Sequence, residues 1–217
     1  MTFVKSPILC RIQLDGLKSQ MIDIDVLLTW GATYRRIKAG EFLFHEGGQC
    51  FYYFQLVEGM LQWGNLNEEG KEFIQSIIEP GDTFGELPLF DGKPYAANAL
   101  AIKDSLVLCL PRESFSRLIL ENPEVHLAFS SNLAQKVRNK FNLLKTIALE
   151  NPEIVIKSLF NDIRNKKCCN GNPHFLVNLT RQQIANMTGL RVETVIRTIR
   201  HMSEAGLVEI DHGKIIL

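Results

Sequence analysis

The stretch LTRQQIANMTGLRVETVIRTIRHMSEAGLVEIDHGKIIL, residues 179–217, holds the densest set of local folding signals in the chain. Thr180 followed three residues later by Gln183 is a capping box. The hydroxyl can take the N3 amide while the Gln side chain reaches back to the cap amide, so a helix starts here. Ile184 and Ala185 give that helix a short apolar face, and Thr188-Gly189-Leu190 interrupts it with a turn. A second helix follows from about Arg191, with Val195, Ile199 and Met202 recurring at four and three as one buried stripe. Gly206 stands where a C′ glycine closes a helix. Leu207-Val-Glu-Ile, the polar turn Asp211-His-Gly and Lys214-Ile-Ile-Leu then alternate as a small β-hairpin. Two helices joined by a tight turn, then a hairpin, predict a winged helix-turn-helix.

With its apolar stripe turned inward, the second helix presents Glu193, Arg197 and Arg200 outward. An Arg can take guanine O6 and N7 as a fork, and a carboxylate can accept from cytosine N4. Val192 and Ile196 flank the pair and can touch thymine methyl groups. Taken alone, Glu193 and Arg197 are an ordinary solvated i,i+4 ion pair. The capped helix, turn and wing around them shift the balance toward base readout.

Composition sets the outer bounds. At 217 residues, 46% apolar and 22% charged, the chain reads as one large or two small globular domains. No run approaches the roughly 18 apolar residues of a membrane span. The opening MTFVKSPILCRIQLDG lacks a basic flank followed by an apolar core, so the expectation is a cytoplasmic protein with no membrane partner. The net charge is zero but unevenly shared: from Pro152 onward nine basic residues face six acidic ones. That excess marks the C-terminal part as the phosphate-facing one. Cys10, Cys50, Cys109, Cys168 and Cys169 show no metal spacing, and the five histidines are unclustered, so no metal site is expected. The vicinal Cys168-Cys169 is either a thiol sensor or a chance pair beside an exposed loop.

Residues 1–30 read as short helices interrupted by Gly16. From about Ala32 the chain turns to short strands ended by glycines, 34–40, 41–48, 51–59 and 60–64, and the series continues with 71–78, 98–102 and 105–111. Strands at this spacing with Gly turns predict a closed β sandwich or barrel. Pro111 to Asn122 reads as a helix. Glu121-Asn-Pro-Glu then recurs as Glu150-Asn-Pro-Glu, each with Asn as cap and Pro at N1. Between them runs a helix of about 27 residues with Val125, Phe129, Leu133, Val137, Phe141, Leu144 and Ala148 on one stripe, the spacing of a coiled-coil seam. A lone helix packed on its own barrel is the alternative. After the repeat come a helix from Ile154, a polar loop from Asn165, and a strand Phe175–Leu179.

Gly40-Glu, Glu46-Gly47, Val57-Glu-Gly59, Gly81-Asp-Thr-Phe-Gly85-Glu86-Leu-Pro-Leu-Phe and Tyr95-Ala-Ala-Asn-Ala-Leu-Ala closely resemble the cyclic-nucleotide-binding jelly roll. With the winged helix behind them, almost the whole chain resembles the catabolite-activator/FNR family of bacterial transcription regulators. The resemblance implies an α+β fold: residues 1–122 as a cyclic-nucleotide-binding-like sensor domain, 123–150 as dimerisation helix and hinge, and 151–217 as the winged helix-turn-helix DNA-binding domain. It also implies an effector pocket from Phe84, Gly85, Glu86, Leu87, Tyr95, Ala96, Ala97 and Asn98, with Lys140 and Phe141 reaching in from the long helix.

Within that resemblance Tyr95 replaces the arginine that holds the cyclic phosphate, and Asn98 replaces a Ser or Thr. Losing the guanidinium removes the charge-assisted fork that offsets phosphate desolvation, so standard cyclic AMP binding is not expected. The lack of N-terminal cysteines beyond Cys10 argues against an iron–sulfur cluster, and the absence of a histidine at the cassette argues against haem. In the recognition helix Val192 sits where cyclic AMP-dependent members carry an arginine, which makes the segment more similar to the FNR type. Val192, Glu193, Ile196 and Arg197 are thus expected at the bases, and Thr180, Arg181, Arg200 and Lys214 at phosphates. The expected operator is a palindrome with TTGA-like half-sites about 34 Å apart. Double-stranded DNA, a second copy of the chain, RNA polymerase and an unidentified small effector are the implied partners. Two other classes compete: a ligand-binding adaptor whose winged helix contacts protein, and a barrel enzyme. No catalytic residue set converges in the sequence to favour the enzyme.

Overall fold

The computed structural model describes residues 22–166 and 175–217. Cys10, the Cys168-Cys169 pair and most of the N-terminal segment lie outside them. A short helix α1 (Ile24–Thr29), capped by the Asp23 carboxylate on the Asp25 amide, leads into the barrel. Six strands follow: β1 (Thr33–Ile37), β2 (Phe42–Phe44), β3 (Tyr52–Leu66), β4 (Glu72–Ile78), β5 (Thr83–Phe84) and β6 (Asn98–Pro111). All pairings are antiparallel. The path runs β1-β6-β3-β4, with β2 also on β6 and β5 on β3. A one-turn helix α2 (Leu87–Asp91) sits between β5 and β6.

Two expected strand breaks are absent. The segments 51–59 and 60–64 form one 15-residue strand, β3, and 98–102 and 105–111 form one 14-residue strand, β6. Gly59 bends the strand instead of ending it. Its φ is +93°, and the register against β6 shifts on either side of it. A Cβ there would lie 2.6 Å from Ser105 Cα, so the two long strands approach closely only because the side chain is missing. The Ser105 hydroxyl fills the gap and accepts from the Met60 amide at 3.1 Å.

The barrel encloses one apolar cluster that runs from Ile22 to Phe129. It includes an aromatic group in which Tyr53 stacks on Phe115, and Phe115 and Phe90 pack on Phe129. These rings fasten α3 (Arg112–Glu121) and the start of α4 (Pro123–Leu149) to the barrel. Asn122 does not cap α4 as its sequence suggests. Its side-chain amide instead donates to Leu118 O at 2.8 Å, closing α3. Asn151 does cap: its carboxamide oxygen accepts from the Ile154 amide at the start of α5 (Pro152–Lys166).

A second apolar cluster runs from Ile156 to Ile215. It is built by α5, α6 (Arg181–Thr188), α7 (Val192–Glu204) and a three-stranded sheet, β7 (Leu176–Val177), β9 (Lys214–Ile216) and β8 (Glu209–Asp211), in the order β7-β9-β8. Both capping-box bonds of α6 are present, Gln183 N to Thr180 Oγ1 at 3.1 Å and Thr180 N to Gln183 Oε1 at 2.9 Å. Gly206 N reaches Ser203 O and Leu207 N reaches Met202 O, a paired closure that only a left-handed C′ residue permits.

Because Gly59 is in the left-handed region and touches β6, Gly59→Ala should destabilise the barrel by about 1–3 kcal/mol or more. Urea unfolding would measure it. A change below about 0.5 kcal/mol would mean that β3 tolerates a side chain at its bend.

Candidate nucleic-acid interface and sensor cassette

Helix α7 rests on the second cluster through Val195, Ile199 and Met202, each at most 1% exposed. That orientation leaves Glu193, Ile196, Arg197 and Arg200 in solvent on the opposite face, with Ile196 52% exposed. Ile196 is the large aliphatic side chain on this face, next to Glu193 and Arg197. Val192 differs from expectation. It is half-buried and packs against the cluster, so only part of its side chain faces outward. Arg200 Nε lies 3.2 Å from Glu204 Oε1, an exposed pair worth little to stability.

The flanking residues divide as well. Thr180 is engaged in the capping box, and Arg181 Nη1 donates to Gly213 O at 2.6 Å. Arg181 therefore ties the first helix of the motif to the wing turn, where His212 adopts φ 43° and Gly213 φ 81°. Lys214, next in the wing, is exposed.

In the barrel, the expected effector residues fall into two sets. Phe84, Glu86, Tyr95 and Ala97 are buried, whereas Leu87 is 45% exposed and Ala96 also faces solvent. Tyr95 is pinned by two backbone bonds, from its amide to Gly48 O and from the Gly47 amide to its own carbonyl, both 2.9 Å. Its ring turns inward and stacks on Phe44 with centroids 3.8 Å apart and planes 12° from parallel. Phe54 and Phe84 extend the stack. Gly85 lies directly against it. A Cβ at Gly85 would meet Phe44 Cζ at 2.8 Å and Tyr95 Cε1 at 3.3 Å. Burial, aided by a hydrogen bond with Cys50, pushes the Tyr95 phenol far above its ordinary range, so the group is neutral. Burial likewise raises the nearby Cys109 thiol to about 11.

Glu86 is held by the long helix through one of its two oxygens. Its Oε1 accepts from Lys136 Nζ of α4 at 2.7 Å, and the same ammonium donates to Thr83 O at 2.8 Å. Glu86 Oε2 is buried without a hydrogen-bond partner. Asn98 is also engaged, its side-chain oxygen accepting from the Glu46 amide. Sequence reasoning missed Lys136. The signal was there, since Lys136 and Lys140 share the helix face of Phe129 and Leu133.

That face corrects the expected seam. Phe129 is 3% exposed inside its own barrel, and Val125 and Leu133 pack on the same core. Lys140 continues this barrel-facing line, donating to Gln75 O at 2.7 Å and Gln75 Oε1 at 3.0 Å. Phe141, by contrast, is 69% exposed and points away from the cassette. With Val137, Leu144 and Ala148 it lies on a separate stripe, and Leu127, Ser130 and Ala134 extend that stripe toward the N-terminus at alternating three and four spacing. The single expected seam is thus two stripes, one against the barrel and one in solvent.

Among the described residues no group of three His, Cys, Asp or Glu side chains converges as metal ligands, and no helix is long and apolar enough to cross a membrane. A nucleotide-cassette barrel joined through a long helix to a winged helix-turn-helix defines a class, the transcription regulators that pair a sensor with a DNA-binding domain. Family models agree on both parts. The one described as cyclic nucleotide-binding domain matches residues 34–122, and the one described as Crp-like helix-turn-helix domain matches residues 158–217. The chain is 25% identical over 198 residues to the cAMP-activated global transcriptional regulator CRP of Haemophilus influenzae, covering 89% of this chain and 88% of that one. It is 25% identical over 199 residues to the anaerobic regulatory protein of Bacillus subtilis, covering 90% and 84%. Its fold is similar to that of FixK2 from Bradyrhizobium japonicum, with TM-score 0.74 and 21% identity over 86% of this chain and 92% of that one. The chain is a homologue of the Crp/Fnr family of transcription regulators. Regulators with this helix-turn-helix bind DNA and typically act as dimers.

Lys136→Met leaves the Glu86 carboxylate buried without its cation and is expected to cost about 2 kcal/mol, below the usual figure for a broken buried pair because Lys136 is partly solvated. Adding Glu86→Gln should restore most of that loss. Equal stability of the single and double variants in urea unfolding would show that the pair does not hold α4 to the cassette.

Proposed function

We propose that this chain is a dimeric, sequence-specific DNA-binding transcription regulator whose sensor barrel does not take cyclic AMP in the family's usual way. The observation that carries the DNA reading is the exposed face of α7. Glu193, Ile196, Arg197 and Arg200 stand together in solvent on a helix whose other face is sealed into the domain core. A carboxylate, a guanidinium and an apolar side chain at this spacing match the donors, acceptors and methyl groups of a major groove. Lys214 on the wing serves a phosphate contact, Thr180 and Arg181 adding to it only as far as their cap and wing bonds allow. The exposed stripe Leu127–Ala148 supports pairing with a second copy, since an isolated helix has no reason to keep Val137, Phe141 and Leu144 in water. A two-fold dimer would then read a palindrome with TTGA-like half-sites about 34 Å apart. Contact with RNA polymerase and a cytoplasmic location accompany this function.

The adaptor reading draws its support from Ile196, which suits a protein partner as well as a thymine methyl. Selection from a randomised duplex library at physiological salt separates the two. The regulator should enrich a palindrome, and Arg197→Ala should weaken binding to it by about 1–3 kcal/mol and relax one base position per half-site. No enrichment, with or without cell extract added as a source of effector, would favour the adaptor.

A further inference from the structure

On the barrel surface, segments 49–51, 92–94 and 111–113 enclose a recess of about 530 Å³. That volume falls within the roughly 300–1,000 Å³ of small-molecule sites. Residues 84–87 and 95–98 of the cassette, and Lys136 and Lys140, take no part in its walls. Backbone bonds hold the three segments together. The Arg112 amide donates to Phe51 O and the Tyr95 amide to Gly48 O, both at 2.9 Å. Gly92 closes α2 in the left-handed conformation, with its amide on Pro88 O. The recess is therefore preformed, and a ligand need not order it.

Arg112 is half-buried, yet among the described residues no carboxylate or other acceptor meets its guanidinium. A cation drawn out of water without a partner is costly. Its side chain runs toward Gly92, where an added Cβ would stand 3.9 Å from Nη2. Lys93, the next residue in the chain, is exposed and also makes no ion pair among the described residues. Both cations border the one recess. Glu113 is the single carboxylate in its walls, exposed and paired with neither of them. Pro111 stands at the N-cap of α3 and has no side-chain acceptor, so the positive end of that helix adds to the field. Phe51 supplies an apolar face, its ring 62% exposed.

We propose that this recess binds a small organic anion, its carboxylate or phosphate oxygens on Arg112 and Lys93 and its flat apolar body against Phe51. A guanidinium takes two oxygens of such a group in parallel, and an ammonium adds a point charge with no fixed direction. The exposed ring gives a flat body a face to stack on. The site is separate from the Tyr95-filled cassette and from the outer face of α7, and it does not depend on the DNA-binding reading.

Titration of the full chain at physiological salt, followed by calorimetry and amide NMR, tests this. The probes are phenyl phosphate and benzoate, their small counterparts inorganic phosphate and acetate, and benzylamine as the opposite charge. At least one aromatic anion should bind saturably, one per chain, and the tighter of the two names the headgroup. It should bind about tenfold more tightly than its small counterpart, and benzylamine should not bind. Arg112→Gln should weaken it about tenfold. Phe51→Ser should remove the advantage over the small anion. If Arg112→Gln does not fold, Lys93→Glu, at an exposed position, reverses the charge and should abolish binding. Amide shifts should fall in residues 49–51 and 112–114, and not in 181–197, where phosphate contacts of the winged helix would show. No saturable binding of either aromatic anion, equal binding of benzylamine, affinity indifferent to the Arg112 and Lys93 variants, or shifts centred elsewhere would each overturn the proposal. None of these readouts involves DNA, so failure of the regulator function would not mimic them.

Discussion

The ion pair between Lys136 and Glu86, 2.7 Å long with the carboxylate almost wholly buried, is the contact on which the sensor half depends. A carboxylate so placed is very costly unless it is paired, and its cation comes from a different element, the long helix. The bond to Thr83 O fixes the same ammonium to the strand before the cassette. Helix α4 is thereby held along its length, by aromatic packing of Phe129 at one end and by Lys136 and Lys140 further on. Because Phe129, Lys136 and Lys140 share one face, the neighbouring stripe with Val137, Phe141 and Leu144, about 100° around the helix, is turned outward. The surface offered to a second copy is a consequence of how the helix meets the barrel.

The same logic governs the cassette. In a site built for a cyclic phosphate, the glycine lets the ligand approach the backbone and an arginine neutralises it. Here Gly85 lets two aromatic rings approach instead. Tyr95 is locked by its own backbone bonds and its phenol is kept neutral by burial, so the position offers bulk and no charge. Phe44, Phe54 and Phe84 make that bulk part of a continuous stack. At Tyr95 packed rings stand where the resembling cassette carries a guanidinium, which supports the proposal that cyclic AMP is not taken in the usual way.

Much of this was legible in the sequence because the signals are local. The capping box at Thr180, the apolar stripe of α7 and the closure at Gly206 depend on neighbours within one turn, and the chain adopts them as written. The loss of charge at Tyr95 could also be seen, but its inward stacking could not. The Phe44–Tyr95 contact joins residues 51 positions apart, brought together by the backbone bonds between Tyr95 and Gly47 and Gly48 just after β2. The sequence splits β3 at Gly59 because glycine usually ends a strand, and only the close approach of β6 makes Gly59 a bend; it splits β6 at the charged pair Lys103-Asp104, which the strand carries through with both side chains exposed. The two faces of α4 were merged for a similar reason: over 27 residues Val125 and Val137 seem to share one stripe until the barrel selects which face it covers. Arg181 and Val192 were assigned outward roles from helix position alone, whereas the wing and the core each claim part of them.

The central claim, that the phosphate end of the cassette is closed by the protein's own side chains, is tested most directly by calorimetric titration of the full chain with cyclic AMP. The account predicts no saturable heat up to millimolar nucleotide, because binding would require Tyr95 to leave the Phe44 stack and would put a phosphate where no guanidinium stands. One-to-one binding at micromolar nucleotide, lost in Glu86→Gln, would contradict it and show that the stack and the Lys136 pair open for a ligand.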